Sequence, residues 1–241
     1  MNLSMSRSSA SPESLHFEPP VLFFHAVRLD AHFKRHVSES SAFRLQLRLK
    51  RTCDILLSSL LIVVCSPLLL AAFLAVRLSS RGPVIFSQLR WGFDQRQFRC
   101  YKIRTMFLDR DSQQSPDEKS RGILHKPRND PRVTAVGALL RKTSIDELPQ
   151  LFNVLKGEMS LVGPRPLMVH MLEPFPEIRE VRSIMRPGIT GLWQIRNRAH
   201  NTSVMTMIAD DAEYIAGFSL LLDLEILLLT PWELIRGHGA H

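Results

Sequence analysis

Read for hydrophobic and polar positions, the chain divides into a polar start, one long uncharged run, a mixed middle and an amphipathic end. Residues 55–76 carry no charged side chain. As one straight helix they would be about 33 Å long, enough to cross a hydrocarbon core. Ser66-Pro67 falls at the midpoint, where proline removes a helix hydrogen bond and crowds the preceding turn. Each half then reaches roughly 16 Å, or halfway through a bilayer. Basic residues stand on both flanks, with Arg44, Arg48, Lys50 and Arg51 before the run and Arg77 and Arg81 after it. Basic flanks favour the cytoplasmic side. A helix that enters, bends at Ser66-Pro67 and leaves by the same face satisfies both observations, with the serine hydroxyl taking up a backbone group freed at the bend. A single spanning helix is the alternative.

Elsewhere the periodicity is that of a small mixed domain. Residues 1–44 are serine-rich and contain Pro19-Pro20, which predicts a polar, disordered tail without a cleaved signal peptide. Residues 21–24 form a short apolar patch within it. Beyond Gly82-Pro83, residues 84–86 and 98–106 read as strands and residues 91–94 as a turn. Residues 109–129 are polar and broken, a loop. Residues 132–141, 149–155 and 177–184 read as helices. Residues 215–235 alternate apolar clusters with Asp223, Glu225 and Glu233, the pattern of amphipathic helices resting on the domain or in a lipid interface. The expected fold class is α+β, mostly helical: a tail at 1–44, a membrane-anchoring helix at 45–80 and a small catalytic domain at 81–241.

Lys plus Arg exceed Asp plus Glu by 31 to 23, a formal charge of +8. That excess suits nucleic acid, anionic headgroups or phosphorylated substrates. Neither an aromatic-interleaved basic strand nor a zinc spacing is present, so nucleic acid has little support. Cys53, Cys65 and Cys100 form no disulfide framework or Cys-x-x-Cys site, which fits a reducing, cytoplasm-facing location. His170 and His200 read as surface residues.

The densest chemistry lies in residues 141–166. Ser144-Ile-Asp-Glu147 has the form of a capping box, but Pro149 would then fall at the fifth helical position and leave a carbonyl unpaired. A helix starting at Pro149 avoids this. Either register sets Asp146 and Glu147 near a helix N-terminus, with Arg141 close in sequence to keep them ionised. A carboxylate can attack phosphorus. Magnesium takes one or two protein carboxylates and fills its shell with phosphate oxygens and water. Lys102, Arg104, Asp130-Pro-Arg132, Arg141, Arg165 and Arg196 each sit beside a turn-forming or apolar residue rather than in a basic run. Guanidinium forks suit phosphate oxygens, and Pro164 and Pro166 stiffen the backbone around Arg165. A membrane-anchored basic scaffold without enzyme activity is the competing reading.

The ordered blocks Lys50-Arg-x-x-Asp54, Ser66-Pro67, Gly82-Pro-Val-Ile-Phe86, Tyr101-Lys-Ile-Arg-Thr-Met106, Asp130-Pro-Arg-Val-Thr134, Leu140 to Gln150, Leu161-Val-Gly-Pro-Arg-Pro166 and Arg186-Pro-Gly-Ile-Thr-Gly191 resemble the bacterial sugar transferases, the monotopic polyprenyl-phosphate phosphoglycosyl transferases. The resemblance runs from about Lys50 to His241, and the short forms that start exopolysaccharide repeat units are the nearest in organisation. It implies that Asp146 is the nucleophile taking a phospho-sugar from a UDP-sugar, with release of UMP. Glu147 would be its partner for magnesium or protons. Arg141 and Arg165 would contact phosphate, and Lys102 and Asp211 would occupy further active-site positions. The phospho-sugar, glucose or galactose by analogy, would pass to undecaprenyl phosphate. The resemblance further implies a re-entrant hairpin bent at Ser66-Pro67, Mg2+ as cofactor, contact with membrane lipids, a place on the cytoplasmic face of a bacterial inner membrane, and room for a homodimer. It departs after Trp193-Gln-Ile195, where Arg196-Asn-Arg198 replaces a glycine-containing turn.

Overall fold

A computed structural model describes residues 40–108, 130–197 and 204–235. The order is α1 (Ser41–Ser79), β1 (Ile85–Trp91), β2 (Gln97–Ile103), α2 (Ala135–Lys142), α3 (Gln150–Lys156), β3 (Ser160–Val162), α4 (Val169–Leu172), α5 (Pro176–Arg182), β4 (Gly188–Thr190), α6 (Leu192–Asn197), α7 (Val204–Ala216) and α8 (Leu220–Ile235). Helices dominate, and the strands form two separate pairs: β1–β2 antiparallel, β3–β4 parallel. This is the expected mostly helical α+β class. The serine-rich start, the apolar patch at 21–24 and the loop at 109–129 lie outside the described residues. Positions 41–44, assigned to the tail from sequence, instead open α1, because the Ser40 side chain caps it by accepting from the Phe43 N–H at 3.2 Å.

α1 is the one described helix long and apolar enough to cross a membrane. It runs without interruption through Pro67, where the sequence suggested a break. The Ser66 hydroxyl donates to the Val63 carbonyl at 2.8 Å, the acceptor that a residue-67 N–H would have served. Lys50, Asp54, Ser58, Leu69, Ala72 and Val76 are buried along one stripe. The opposite side bares Leu56, Leu60, Val63, Val64 and Leu70.

Polar bonds clamp the first half of α1 to the domain. Lys50 Nζ meets Asp223 Oδ2 at 2.5 Å and the Val162 carbonyl at 2.9 Å. Arg51 donates to the Val154 and Leu155 carbonyls at the end of α3, and Asp54 accepts from Leu161 N and Ser160 Oγ. Apolar contacts hold the second half, where Leu69, Ala72 and Val76 pack with Ile103 and Leu140. The main core lies between α3, β3, α6, α7 and α8, around Val154, Met159, Tyr214 and Ile226. The C-terminal helices rest on this core with one side and expose Leu221, Leu224, Leu228 and Trp232 with the other, so both expected uses of that segment are compatible with its shape.

Two close backbone approaches explain glycines in the motif blocks. A Cβ on Gly137 would lie 2.1 Å from the Thr105 carbonyl oxygen, so only glycine lets α2 lean on the end of β2. A Cβ on Gly188 would meet Gly163 N at 2.1 Å. That contact seats the Gly163-Pro-Arg-Pro166 turn against the Arg186-Pro-Gly188 segment.

Candidate active site

The dyad sits on a single 3-10 turn, Ile145–Glu147, between α2 and α3. Ser144 precedes it at φ 56°, a left-handed conformation unusual for a residue with a Cβ, and makes no side-chain cap. The capping-box register is therefore not adopted. Pro149 caps α3, which relieves the unpaired carbonyl that the other register would have left. Asp146 is buried at 7% exposure, whereas Glu147 is half-buried.

β2 delivers the first cation. Lys102 Nζ reaches Glu147 Oε1 at 2.6 Å. α2 delivers the second: Arg141 donates from Nε to Thr105 Oγ1 at 2.8 Å. Burial depresses the Arg141 pKa, while the neighbouring charges of Asp146 and Asp130 oppose that effect. A guanidinium stays protonated regardless, so Arg141 brings a fixed positive charge to Asp146. Asp130 receives a forked bond from Arg132, at 2.8 Å to Nε and 2.7 Å to NH2, and that bond holds its carboxyl below the usual range. Arg165 stacks over the Trp193 ring at 5.3 Å. Burial pushes the pKa of the buried Cys100 thiol up, and the positive charges of Lys102 and Arg90, on the same face of the β1–β2 pair, oppose that shift.

Three predicted residues stand apart from this cluster. Arg104 is buried at 4% exposure, and its guanidinium is taken up by the Pro83 and Ser80 carbonyls and Ser80 Oγ, tying the exit of α1 to β2. Arg196 is exposed and forks onto Glu213 at 2.7 and 2.9 Å. Asp211 is fully buried behind the site, where it holds Arg182, and Arg182 in turn donates to the Arg165 carbonyl. Burial pushes the Asp211 pKa up to about 6 against the pull of Arg182. Asp211 thus acts on the Pro-Arg-Pro turn from behind. Ser66 and Pro67 lie on the exposed midpoint of α1, not in the site.

Sequence reasoning missed several supporting side chains. Thr105 orients Arg141. Asn153, fully buried, accepts from Tyr101 N and donates to the Arg99 carbonyl, pairing with the edge of β2 as a strand would. Its sequence signal is an asparagine that, with Gln150, interrupts the apolar positions Leu151 and Val154 on the buried face of α3. Arg90 and Arg182 carried no signal beyond their charge. Among the described residues no three or more His, Cys, Asp or Glu side chains gather as a metal cage. Magnesium needs no such cage, since it takes one or two protein carboxylates and fills the rest of its shell with phosphate oxygens and water, and the adjacent Asp146 and Glu147 fit that donor set.

The family model for bacterial sugar transferases matches residues 45–237. The exopolysaccharide production protein ExoY of Rhizobium meliloti (strain 1021) is 42% identical over 200 residues, covering 80% of this chain and 88% of the relative. The undecaprenyl-phosphate galactose phosphotransferase of Salmonella typhimurium (strain LT2) is 38% identical over 229 residues, covering 91% of this chain and 46% of the relative. The UDP-glucose:undecaprenyl-phosphate glucose-1-phosphate transferase of Escherichia coli (strain K12) is 41% identical over 192 residues, covering 77% and 40%. The chain spans under half the length of these two longer relatives.

Proposed function

Since this chain belongs to the bacterial sugar transferase family, whose model spans residues 45–237, we propose that it transfers hexose 1-phosphate from UDP-glucose or UDP-galactose to undecaprenyl phosphate. The product would start an exopolysaccharide repeat unit. The observation that carries this reading is the buried Asp146 beside Arg141, next to a Glu147 held by Lys102.

In the first step an Asp146 carboxylate oxygen attacks the phosphorus that bears the sugar. The bond from that phosphorus to the oxygen bridging to the nucleotide breaks, and UMP leaves with the electron pair. In the second step a phosphate oxygen of undecaprenyl phosphate attacks the same phosphorus, the Asp146–phosphorus bond breaks, and the aspartate is restored. Arg141 and Lys102 neutralise charge on the transferred phosphate. Glu147 is the residue to hold Mg2+, which when bound would shield the diphosphate oxygens.

The anchor reading belongs with this proposal. Both halves of α1 pack on the same domain, through Lys50 and Asp54 before Pro67 and through Leu69, Ala72 and Val76 after it. That packing supports an anchor with both ends on one side of the bilayer over a spanning helix. On this reading α1 stays at the cytoplasmic face with the bare leucines of α8 in the interface beside it, and a re-entrant path would need α1, uninterrupted at Pro67 here, to bend in lipid. The domain faces the cytoplasm, where nucleotide sugars are made.

Intact mass after incubation with each UDP-sugar, quenched before acceptor is added, tests the chemistry. A mass gain of one hexose phosphate that is absent from Asp146→Asn is expected. Product formation by Asp146→Asn at near-normal rate would falsify the covalent route.

A further inference from the structure

The cations around the site differ in what already neutralises them. Lys102 meets Glu147, Arg132 meets Asp130, Arg182 meets Asp211, and Arg196 meets Glu213. Among the described residues, Arg90 and Arg165 have no carboxylate within ion-pair distance. Arg165 lies over an indole. Arg90 is half-buried and held by neutral acceptors alone: NH1 donates to the Pro166 carbonyl at 3.0 Å and NH2 to Gln88 Oε1 at 2.6 Å. Its Nε is buried with no partner among the described residues. A guanidinium has five N–H donors, so most of this fork is unspent in a place where an unpaired polar group is costly.

Strand register aims Arg90 at the site. Phe86 lies opposite Lys102, Gln88 opposite Cys100 and Arg90 opposite Phe98. Directly opposed residues share a face of an antiparallel pair, and alternate positions along one strand do too. Lys102 and Arg90 therefore stand on the same face, four residues apart along the ladder, or about 14 Å of backbone. Lys102 stands at the dyad. Arg90 stands at the Pro-Arg-Pro turn, bonded to Pro166 and within electrostatic reach of Arg165 and Glu147.

Building on the transferase reading, we propose that Arg90 and Arg165 form the site for the nucleotide-side phosphate of the donor, the phosphate that departs in the nucleoside monophosphate, while Lys102 and Arg141 attend the phosphate that is transferred. The division follows from position: Lys102 and Arg141 stand at the dyad, where phosphorus is attacked, while Arg90 stands at the Pro-Arg-Pro turn about four ladder residues away. A leaving phosphate gains negative charge as its bond breaks, and a cation with no carboxylate partner stabilises it. Gln88 fixes the Arg90 fork by accepting from it, and spends its own amide N–H on the weak Met168 sulfur acceptor.

The test uses the full chain in lipid nanodiscs, with Arg90→Gln and Arg90→Lys compared with wild type. Three quantities are read: calorimetric binding of UMP, the rate of phospho-sugar adduct formation against UDP-sugar concentration, and discharge of preloaded protein to undecaprenyl phosphate. Arg90→Gln is expected to weaken UMP binding and raise the donor KM by about ten- to a hundredfold, the worth of charge-assisted hydrogen bonds. Discharge, in which no nucleotide takes part, should change by less than about threefold. Arg90→Lys, which keeps the charge and can still reach Pro166, should fall between and decides the matter if the glutamine variant does not fold. Unaltered UMP affinity, or equal losses in both half-reactions, would overturn the assignment. Wild type that binds UMP but never forms the adduct would sink the covalent reading and leave this one standing. Wild type that does not bind UMP would sink this one.

Discussion

Buried cations serve two regions of this molecule, and they are used in opposite ways. In the clamp that holds α1, Lys50, Arg51 and Arg104 are each matched to a carboxylate or to two backbone carbonyls, with the second half of α1 sealed by apolar packing. Around the dyad, Arg141 meets a hydroxyl, Arg165 an aromatic ring, and Arg90 one carbonyl and one amide. Saturated cations hold structure. Cations left short of negative charge wait for a ligand that brings it. Among these arginines the degree of saturation, visible only in three dimensions, separates scaffold from chemistry; Lys102, paired with Glu147 at the dyad, is saturated by the site's own carboxylate.

The contrast breaks most visibly at Asp146. Asp146→Asn keeps the size of the side chain and the turn it occupies, so Tm should move little. Turnover should fall by at least about a thousandfold, as for other covalent nucleophiles. Comparable losses of stability and activity would place Asp146 among the clamps.

Lys50 and Lys102 make the next comparison, since both meet a carboxylate at about the same distance. Lys50→Met strands Asp223 in a pocket where its side chain is 10% exposed. Removing one partner of a buried pair costs about 3–5 kcal/mol, read as a drop in the detergent- or lipid-phase unfolding midpoint. Lys102→Met leaves Glu147 with 21% of its side chain in water, so its stability loss should be less than half as large while adduct formation collapses. Equal stability losses would erase the distinction.

Much of this was legible in the sequence, for reasons that differ by element. The apolar run and its Ser-Pro midpoint announce α1, because no other stretch lacks charge for so long. Asp146 and Glu147 stand out because Pro149 forbids the ordinary capping register. β3 and β4 were not legible: three-residue strands carry no usable alternation, and the glycine contact between Gly163 and Gly188 that seats them joins distant blocks. Lys102 and Arg104 share a parity along the chain, yet β2 ends at Ile103 and Arg104 turns to Ser80 and Pro83. Asp211 read as an active-site acid, and only its burial behind Arg182 shows that it works through another residue.

Asp211 also sharpens the comparison through pH. Burial raises its pKa from 3.8 to about 6. The folded state then holds a proton that the unfolded chain has released, so this residue's contribution is full below about pH 4 and is lost as pH rises through 6. The shift is worth at most about 3 kcal/mol. The Tm of wild type relative to Asp211→Asn should decline from pH 4 to pH 6.5 and level off above it. A flat difference across that window would mean that Arg182 keeps Asp211 ionised throughout, making the pair one more saturated clamp.

The smallest effect lies at the centre of α1 and tests whether saturation extends into the apolar run. Pro67 supplies no N–H, and the Ser66 hydroxyl serves the Val63 carbonyl in its place at 2.8 Å. Ser66→Ala should therefore cost about 1 kcal/mol, the net worth of one hydrogen bond. In a Pro67→Ala background residue 67 regains its N–H, the Val63 carbonyl is served by the backbone, and the same serine change should cost nearly nothing. A double-mutant cycle on the unfolding midpoint in nanodiscs isolates that coupling. Additive effects would show that Ser66 and Pro67 act separately, and the serine would then belong to the surface of the helix rather than to its repair.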